Sequence, residues 1–321
     1  MTEPKSQQNS LQECLVQEGE QSPYADLTVD LAFKKAFNPD DKASRKDLVN
    51  LLNDVLGPQL KHPIQTVHTR NVAQNFSGSA KSRTAIFDLH CADDRGNLIE
   101  IEVQIRRMEN FIKRLGFYAG MMVANQSEKG EDWNFEVKPT YVIAISREEV
   151  FPDDRPVHRG TVTDLKTGEQ LMDLYNFTIL ELSKVPFFIE KTSDNISKWL
   201  FFFRYLNRLK KLPDALDERK FARLTETSRV SNFTRKEFEA YQHMYHEIWD
   251  RNALRNAFIK DNPDIFDEVR NEAASKAAAK ATVEATASAK REMAKGLRED
   301  GVPMEIIVRR SGLTEDEIRA L

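Results

Sequence analysis

The sequence has few cysteines, no long apolar run and no excess of basic charge. Its two cysteines, Cys14 and Cys91, lie far apart in the 321 residues, which excludes a disulfide framework and a zinc site built from spaced cysteines. The reducing cytoplasm is the compartment that such a composition favours. No stretch is apolar enough to span a membrane, so we expect no membrane partner. The Gln-, Ser- and Glu-rich residues 1–22 lack the core of a signal peptide and are predicted to be a disordered polar tail.

The charge balance excludes a protein that binds nucleic acid through its total charge. The formal net charge is −4, although 31% of the residues are charged. Any contact with a phosphate backbone therefore has to use a local basic cluster.

What the sequence does contain is an acidic hairpin, whose geometry follows from the alternation of side chains along a strand. Residues 86–91 form one arm and residues 99–105 the other. A three-residue loop from Asp94 to Gly96 joins them, with Gly96 in the left-handed conformation. Burying the two apolar rows together sets the register. On the polar face, this register pairs three sets of side chains: Asp88 with Glu102, His90 with Glu100, and Ile86 with Gln104.

Two carboxylates that face each other across a strand pair destabilise it by roughly 0.2–1 kcal/mol. A divalent cation between Asp88 and Glu102 removes this penalty, and carboxylates suit hard ions such as Mg²⁺, Mn²⁺ or Ca²⁺. The alternative is a polar face that meets only water. In the metal interpretation Asp88, Glu102 and the backbone carbonyl of Val103 hold the ion. Gln104 then orients the attacking water of a phosphodiester hydrolysis.

Gln104 is neutral, so positive charge at such a site has to come from basic residues elsewhere: Lys34, Lys35, Lys113 or Arg114. Asp30 begins the first helical pattern and is either a helix cap or a third acid that reaches the metal.

A basic cluster follows the hairpin directly. It consists of Arg106, Arg107, Lys113 and Arg114, with Tyr118 one helical turn after Arg114. A solvated helix face is the ordinary interpretation, and contact with DNA phosphates beside the metal is the alternative.

Periodicity predicts an α/β domain followed by helices. Apolar spacing predicts helices over residues 31–37, 47–56 and 108–126, the second one followed by Gly57 as a cap. The inner face of the third helix is predicted to carry Phe111, Leu115, Ala119 and Met122. Strands are predicted over residues 65–70, 140–145 and 175–182. Residues 140–145 are apolar throughout, which is typical of a central strand buried on both faces.

The C-terminal third is predicted to be helical throughout. Residues 191–262 form a helical extension that packs on the core, and residues 263–296 form an alanine-rich arm. Residues 297–321 contain turn glycines and a capping box from Thr314 to Glu317, which indicates a small unit of helix-turn-helix character. Its role as a packing or dimer contact, or as a DNA contact, stays open. A homo-oligomer through the C-terminal helical region also stays open.

Five blocks in order resemble the Rpn family of recombination-promoting nucleases and transposases, within the PD-(D/E)XK nuclease superfamily. The blocks are residues 30–37, 51–56, 83–88, 101–104 and 113–118, and the resemblance covers about residues 26–209. It implies a nuclease core over residues 23–190, with a restriction-endonuclease-like mixed sheet flanked by helices. It also implies metal-dependent cleavage of DNA.

Asp88 matches the first motif acid of that family and Glu102 the second. Gln104 stands where the superfamily has lysine, and the Rpn group often has glutamine there. Asp30 and Arg114 match further family positions, and Lys34 and Tyr118 are accessory candidates. The sequence therefore predicts a Mg²⁺-dependent DNA endonuclease of recombination, mobile-element biology or phage defence. The alternative is a catalytically weak or inactive module of the same fold that binds DNA or another partner. A helical scaffold explains the C-terminal third alone.

Overall fold

The computed structural model describes residues 11–17, 20–70, 89–104, 110–126, 134–246, 282 and 285–320. The chain divides into two compact units, Met1–Tyr245 and His246–Leu321. The strands of the first unit are β1 (Val67–Thr69), β2 (Leu89–Asp93), β3 (Leu98–Gln104), β4 (Thr140–Ser146), β5 (Val157–Thr163) and β6 (Gln170–Glu181). Its helices are α1 (Asp30–Ala36), α2 (Lys42–Leu56), α3 (Phe111–Ala124), α4 (Asn195–Tyr205) and α5 (Arg219–Thr227). Residues 235–246 are also helical.

The strands form one mixed sheet in the order β1-β2-β3-β4-β6-β5. The pairs β1–β2, β2–β3 and β5–β6 are antiparallel, whereas β3, β4 and β6 run parallel. Helices flank this sheet, so the predicted α/β class with a mixed sheet and helical C-terminal region is confirmed. All seven residues of β4 are buried, as a strand with neighbours on both sides and cover on both faces requires.

Sequence patterns missed β5 and the first part of β6. The β5 sequence, Val-His-Arg-Gly-Thr-Val-Thr, is polar and contains a glycine, and this strand lies at the edge of the sheet. Backbone pairing with β6, rather than an apolar face, holds it in place. β6 begins at Gln170 instead of Tyr175 because its exposed N-terminal half extends this hairpin beyond the core.

The predicted hairpin register is confirmed where the structure describes it. His90 pairs with Glu100, and Leu89 pairs with Ile101. The Asp93 N–H donates to the Asn97 carbonyl at 3.0 Å and closes the three-residue loop. Gly96 has φ 83°, the left-handed conformation that this loop requires.

Helix α3 packs on one face of the sheet through the side chains predicted for its inner surface. Phe111, Leu115, Ala119 and Met122 are all buried. They form one core cluster with sheet residues Ala92, Leu98, Val142, Ala144 and Ile179. These sheet residues share a face with Glu100 and Glu102, so α3 covers the polar face of the hairpin.

An aromatic core joins α1, α4 and α5. The Trp199 ring lies 6.2 Å from that of Phe37 and 4.9 Å from that of Phe221. Helix α2 begins at Lys42 rather than at position 47, because the Asp41 carboxylate caps it by accepting hydrogen bonds from the Ala43 and Ser44 N–H groups. Gly57 follows α2 in a right-handed conformation and continues into a 3-10 turn, so it is not a left-handed cap.

Part of the expected disordered tail is packed instead. Leu11 and Cys14 are 3% and 4% exposed. The Val16 N–H donates to the Arg208 carbonyl at 3.0 Å, and the Lys210 N–H donates to the Cys14 carbonyl at 2.8 Å. Backbone pairing with the segment after α4, which composition does not reveal, orders these residues. Residues 1–10 lie outside the described part of the chain.

The second unit contains helical residues 285–299, α6 (Met304–Ser311) and α7 (Glu315–Arg319). Ala294, Ile307 and Ile318 form its core. The predicted capping box is confirmed, since Thr314 and Glu317 satisfy each other's backbone N–H groups. Most of the alanine-rich arm lies outside the described residues. In the part of the chain that the structure describes, no helix is both long and apolar enough to cross a membrane.

Candidate functional site

The glutamates of β3 are buried. Glu100 is 0% exposed and Glu102 is 6% exposed, because α3 lies across their face of the sheet. The interpretation of this face as a solvated surface is therefore wrong for both residues. A buried carboxylate needs a partner, since desolvation disfavours an isolated charge by several kcal/mol or more.

Arg114 of α3 is that partner for Glu102. Its Nη2 atom donates a short hydrogen bond to Glu102 Oε1, and the same atom donates to Gln104 Oε1 at 2.7 Å. The guanidinium carbon lies 5.6 Å from the centre of the Phe111 ring and 5.8 Å from that of Tyr118. The structure thus brings together four of the residues singled out by the sequence: Glu102, Gln104, Arg114 and Tyr118.

This cluster lies at the carboxyl ends of parallel strands. Glu102 pairs in register with Ala144 of β4, and Gln104 pairs with Ser146. In α/β sheets the carboxyl ends of parallel strands are where ligands bind, since the chain leaves the sheet there. Ala144 and Ser146 are 0% and 1% exposed, so the strand next to Glu102 and Gln104 is buried at this end of the sheet.

A second ion pair lies at the same end of β3 and was not predicted from the sequence. The Arg147 N–H donates to the Gln104 carbonyl at 3.0 Å, and its guanidinium donates to Asp26 Oδ2 at 2.8 Å. Asp26 is 1% exposed and also accepts from Thr28 and Asn207. The available signal was the position of Arg147 directly after the predicted central strand. Its partner stands 121 residues earlier, and no spacing rule links the two.

His90 lies opposite Glu100 beneath this site. Burial, with a smaller contribution from the Arg70 cation, lowers the pKa of His90 to about 4. The imidazole is therefore neutral at pH 7 and supplies no charge to the cluster. Burial and the nearby Asp93 carboxylate raise the pKa of the Cys91 thiol to about 12, so this cysteine is not a nucleophile at neutral pH.

Asp30 lies at the first position of α1 with Val29 as the cap, and its side chain makes no capping hydrogen bond in the described structure. The expectation of a helix cap is therefore wrong. Instead, Asp30 Oδ1 lies 2.7 Å from Lys34 Nζ on the following turn. Lys35 pairs with Glu237 at 2.8 Å. Both lysines are thus already matched by carboxylates, and they line a surface cavity between α1, α2 and the helical residues 235–246.

The remaining candidates divide into exposed and undescribed residues. Lys113 is exposed on α3 next to Arg114, and Val103 is half-buried on β3. Asp88, Arg106 and Arg107 lie outside the described residues, so the predicted position of Asp88 opposite Glu102 stays a prediction.

The donor atoms suit a divalent cation, although the described residues supply only part of a site. Among them, no group of three or more His, Cys, Asp and Glu side chains could hold a metal ion. Glu102 and Gln104 nevertheless direct one carboxylate oxygen and one amide oxygen at a single cationic nitrogen. Oxygen atoms of these two kinds are the ligands that Mg²⁺ and Ca²⁺ take in proteins. Asp88 would add a second carboxylate if the register continues to it.

The second unit has an acidic surface at one end. The first turn of α7 carries Glu315, Asp316 and Glu317. Three carboxylates repel a phosphate backbone, so this turn itself is unsuited to contact with DNA. The role of the unit as a packing, dimer or DNA contact stays a prediction.

Comparison with family models matches residues 27–257 to the model described as PD-(D/E)XK nuclease family transposase. The matched range contains all the strands β1 to β6 and the helices α1 to α5. No curated protein and no solved structure matches the chain.

Proposed function

The chain belongs to the PD-(D/E)XK nuclease family transposases, and from this premise we propose that it hydrolyses phosphodiester bonds of DNA with a divalent cation. Asp88 and Glu102, with the backbone carbonyl of Val103, would hold Mg²⁺, or Mn²⁺ or Ca²⁺ in its place. A cation held there would supply charge stabilisation and lower the pKa of a bound water. Gln104 would orient the attacking water.

The observation that carries the proposal is that Glu102 and Gln104 both bind the Arg114 guanidinium at the carboxyl end of β3, so that their oxygen atoms converge on one point. Folding alone does not explain a buried carboxylate on a covered sheet face, because hydrophobic residues in such a position often leave a protein equally or more stable. The described register, continued by one residue beyond Leu89, would add Asp88 opposite Glu102.

The same geometry gives a reason for glutamine in the position of the superfamily lysine. Gln104 accepts a hydrogen bond from Arg114, and an ammonium group has no acceptor for it. A lysine at this position would place a second cation against the guanidinium. We propose that Arg114 provides the positive charge that Gln104 lacks, and that exposed Lys113, with Arg106 and Arg107, contacts DNA phosphates.

A plasmid-nicking assay tests the proposal. Wild type is expected to nick supercoiled DNA with Mg²⁺ and to lose this activity in EDTA. Asp88→Asn and Glu102→Gln should each lower the rate at least about 100-fold, since even outer neighbours of metal ligands cost about 10–100-fold. Asp173→Asn is the matched control, because this carboxylate lies in an exposed ion pair with Lys61. Nicking by Glu102→Gln at the wild-type rate would refute the assignment.

The inactive alternative predicts a different result. A module that only binds DNA would retain a labelled duplex without cutting it, and Glu102→Gln would leave that binding unchanged. Action in the reducing cytoplasm, in recombination, mobile-element biology or phage defence, is part of the proposal. Cys14 and Cys91 are buried and form no disulfide, which is compatible with that compartment.

A further inference from the structure

Arg114 occupies the two oxygen atoms that the proposed metal site would need. One nitrogen, Nη2, donates to both Glu102 Oε1 and Gln104 Oε1. The Glu102 side chain is 8% exposed and that of Arg114 is 25% exposed, so little water screens the pair. The guanidinium is therefore a counter-ion of this carboxylate in the chain without metal.

A divalent cation and this guanidinium compete for the same oxygen atoms. A cation coordinates a carboxylate oxygen at about 2.0–2.6 Å. It would then lie within a few ångströms of Arg114, and like charges at such a separation repel strongly where water is largely excluded. A cation that coordinates Glu102 Oε1 and Gln104 Oε1 together therefore requires the guanidinium to withdraw.

The surroundings of Arg114 allow that withdrawal. The Arg114 side chain is 25% exposed, and the Phe111 and Tyr118 rings lie within 6 Å of its guanidinium carbon. Aromatic faces stabilise a nearby cation, so these contacts, which are already present, can hold the guanidinium after it leaves Glu102. Once freed, its planar fork of donors matches a phosphate, to which a guanidinium binds through two hydrogen bonds.

We propose that Arg114 is a displaceable internal cation that couples the loading of metal to the contact with DNA. Without metal, Arg114 neutralises Glu102. When a divalent cation takes Glu102, Arg114 is released and contacts a DNA phosphate beside it. This inference rests on the proposed function only in placing the cation at Glu102.

Calorimetric titration of Mn²⁺ and Ca²⁺ into the full chain without DNA tests the competition. Arg114→Gln should bind the cation about tenfold more tightly than wild type, corresponding to about 1.4 kcal/mol. Lys138→Gln is the matched control, because it removes one positive charge at the opposite end of β4. Seven residues of strand separate the two ends by roughly 20 Å, beyond the screening length of about 8 Å. Equal or weaker binding by Arg114→Gln, or no binding by either protein, overturns the inference.

The salt dependence of DNA binding tests the release. Arg114→Gln should lower the slope of log affinity against log salt by about one for a short duplex in Ca²⁺, and leave it unchanged in EDTA. A slope difference that is the same in both conditions overturns the coupling. If Arg114→Gln does not fold, the side-chain NMR signal of Arg114 in wild type decides. Its guanidinium protons should exchange faster when Ca²⁺ is added, and unchanged exchange is the opposing result.

Nicking and metal binding are measured separately, so failure of this inference can be distinguished from failure of the proposed function. Nicking without tighter metal binding by Arg114→Gln rejects the displaceable cation and leaves the nuclease. Tighter binding without nicking rejects hydrolysis and leaves a metal-dependent switch in DNA binding.

Discussion

The Asp26–Arg147 pair should be energetically coupled, because it is buried and charged. Asp26 accepts hydrogen bonds from Thr28, Asn207 and Arg147, and of these three donors only Arg147 is charged. The perturbation is Arg147→Met, which removes the guanidinium and keeps the apolar stem. It also keeps the backbone N–H that binds the Gln104 carbonyl.

The magnitude follows from burial. Loss of one partner of a buried ion pair costs about 3–5 kcal/mol. Asp26 retains its neutral donors, and the Arg147 side chain is 25% exposed. We therefore expect the lower end, about 3 kcal/mol, for Arg147→Met. Asp26→Asn leaves a guanidinium that reaches water and should cost about 1.5 kcal/mol. The double variant leaves no buried charge, so its cost should fall about 2 kcal/mol below the sum of the two.

Urea unfolding followed by tryptophan fluorescence and far-UV circular dichroism measures these values. Coincident transitions by the two probes show that a single free energy of unfolding applies. The control cycle uses Arg235 and Glu239, an exposed pair whose coupling should be about 0.3–0.5 kcal/mol. If the costs of Asp26→Asn and Arg147→Met add to within about 0.5 kcal/mol, the two charges are not energetically coupled and the reasoning is refuted.

Three further predictions concern other parts of the chain. The stability lost as pH falls from 6.5 to 4.5 should be about 2–3 kcal/mol larger in wild type than in His90→Gln, because the unfolded chain protonates His90 at its ordinary pKa while the folded pKa is about 4; parallel curves would contradict this. Native protein at pH 8 should react with iodoacetamide at Cys91 far more slowly than urea-unfolded protein, since burial raises the pKa of that thiol to about 12; equal rates would show that the site is open. Thr314→Ala should destabilise the second unit by about 1 kcal/mol through loss of the capping box, seen as faster amide exchange at Ile318, whereas Thr314→Ser should exchange as wild type does.

Local rules predicted much of the region around the site. The alternation of side chains and the loop Asp94 to Gly96 predicted the pairing of His90 with Glu100. The spacing of Phe111, Leu115, Ala119 and Met122 predicted the buried side of α3. Both patterns depend on residues close in sequence, where strand and helix periods decide which side chains share a face.

Local rules did not predict the contacts between segments that are distant in the sequence. The sequence placed Arg114 among several basic candidates for contact with DNA phosphates, and it did not show that the guanidinium binds Glu102 and Gln104. It did not show that Asp30 pairs with Lys34 on the next turn, and a role of Asp30 at the metal stays a prediction. The edge strand β5 has no apolar row to reveal it, since β6 alone provides its pairing.

The sequence by itself determined the hairpin register, the apolar central strand and the order of motif residues from Asp30 to Tyr118. Short-range alternation and turn chemistry are enough for these. Only the tertiary structure decided that α3 covers the acidic face and that Arg114 neutralises Glu102. It also decided that Arg147 pairs with Asp26 while its backbone N–H binds the Gln104 carbonyl. The physical reason is that burial and ion pairing depend on which distant segments the sheet order brings together. That order is set by the packing free energy of the whole core and not by any short stretch of sequence.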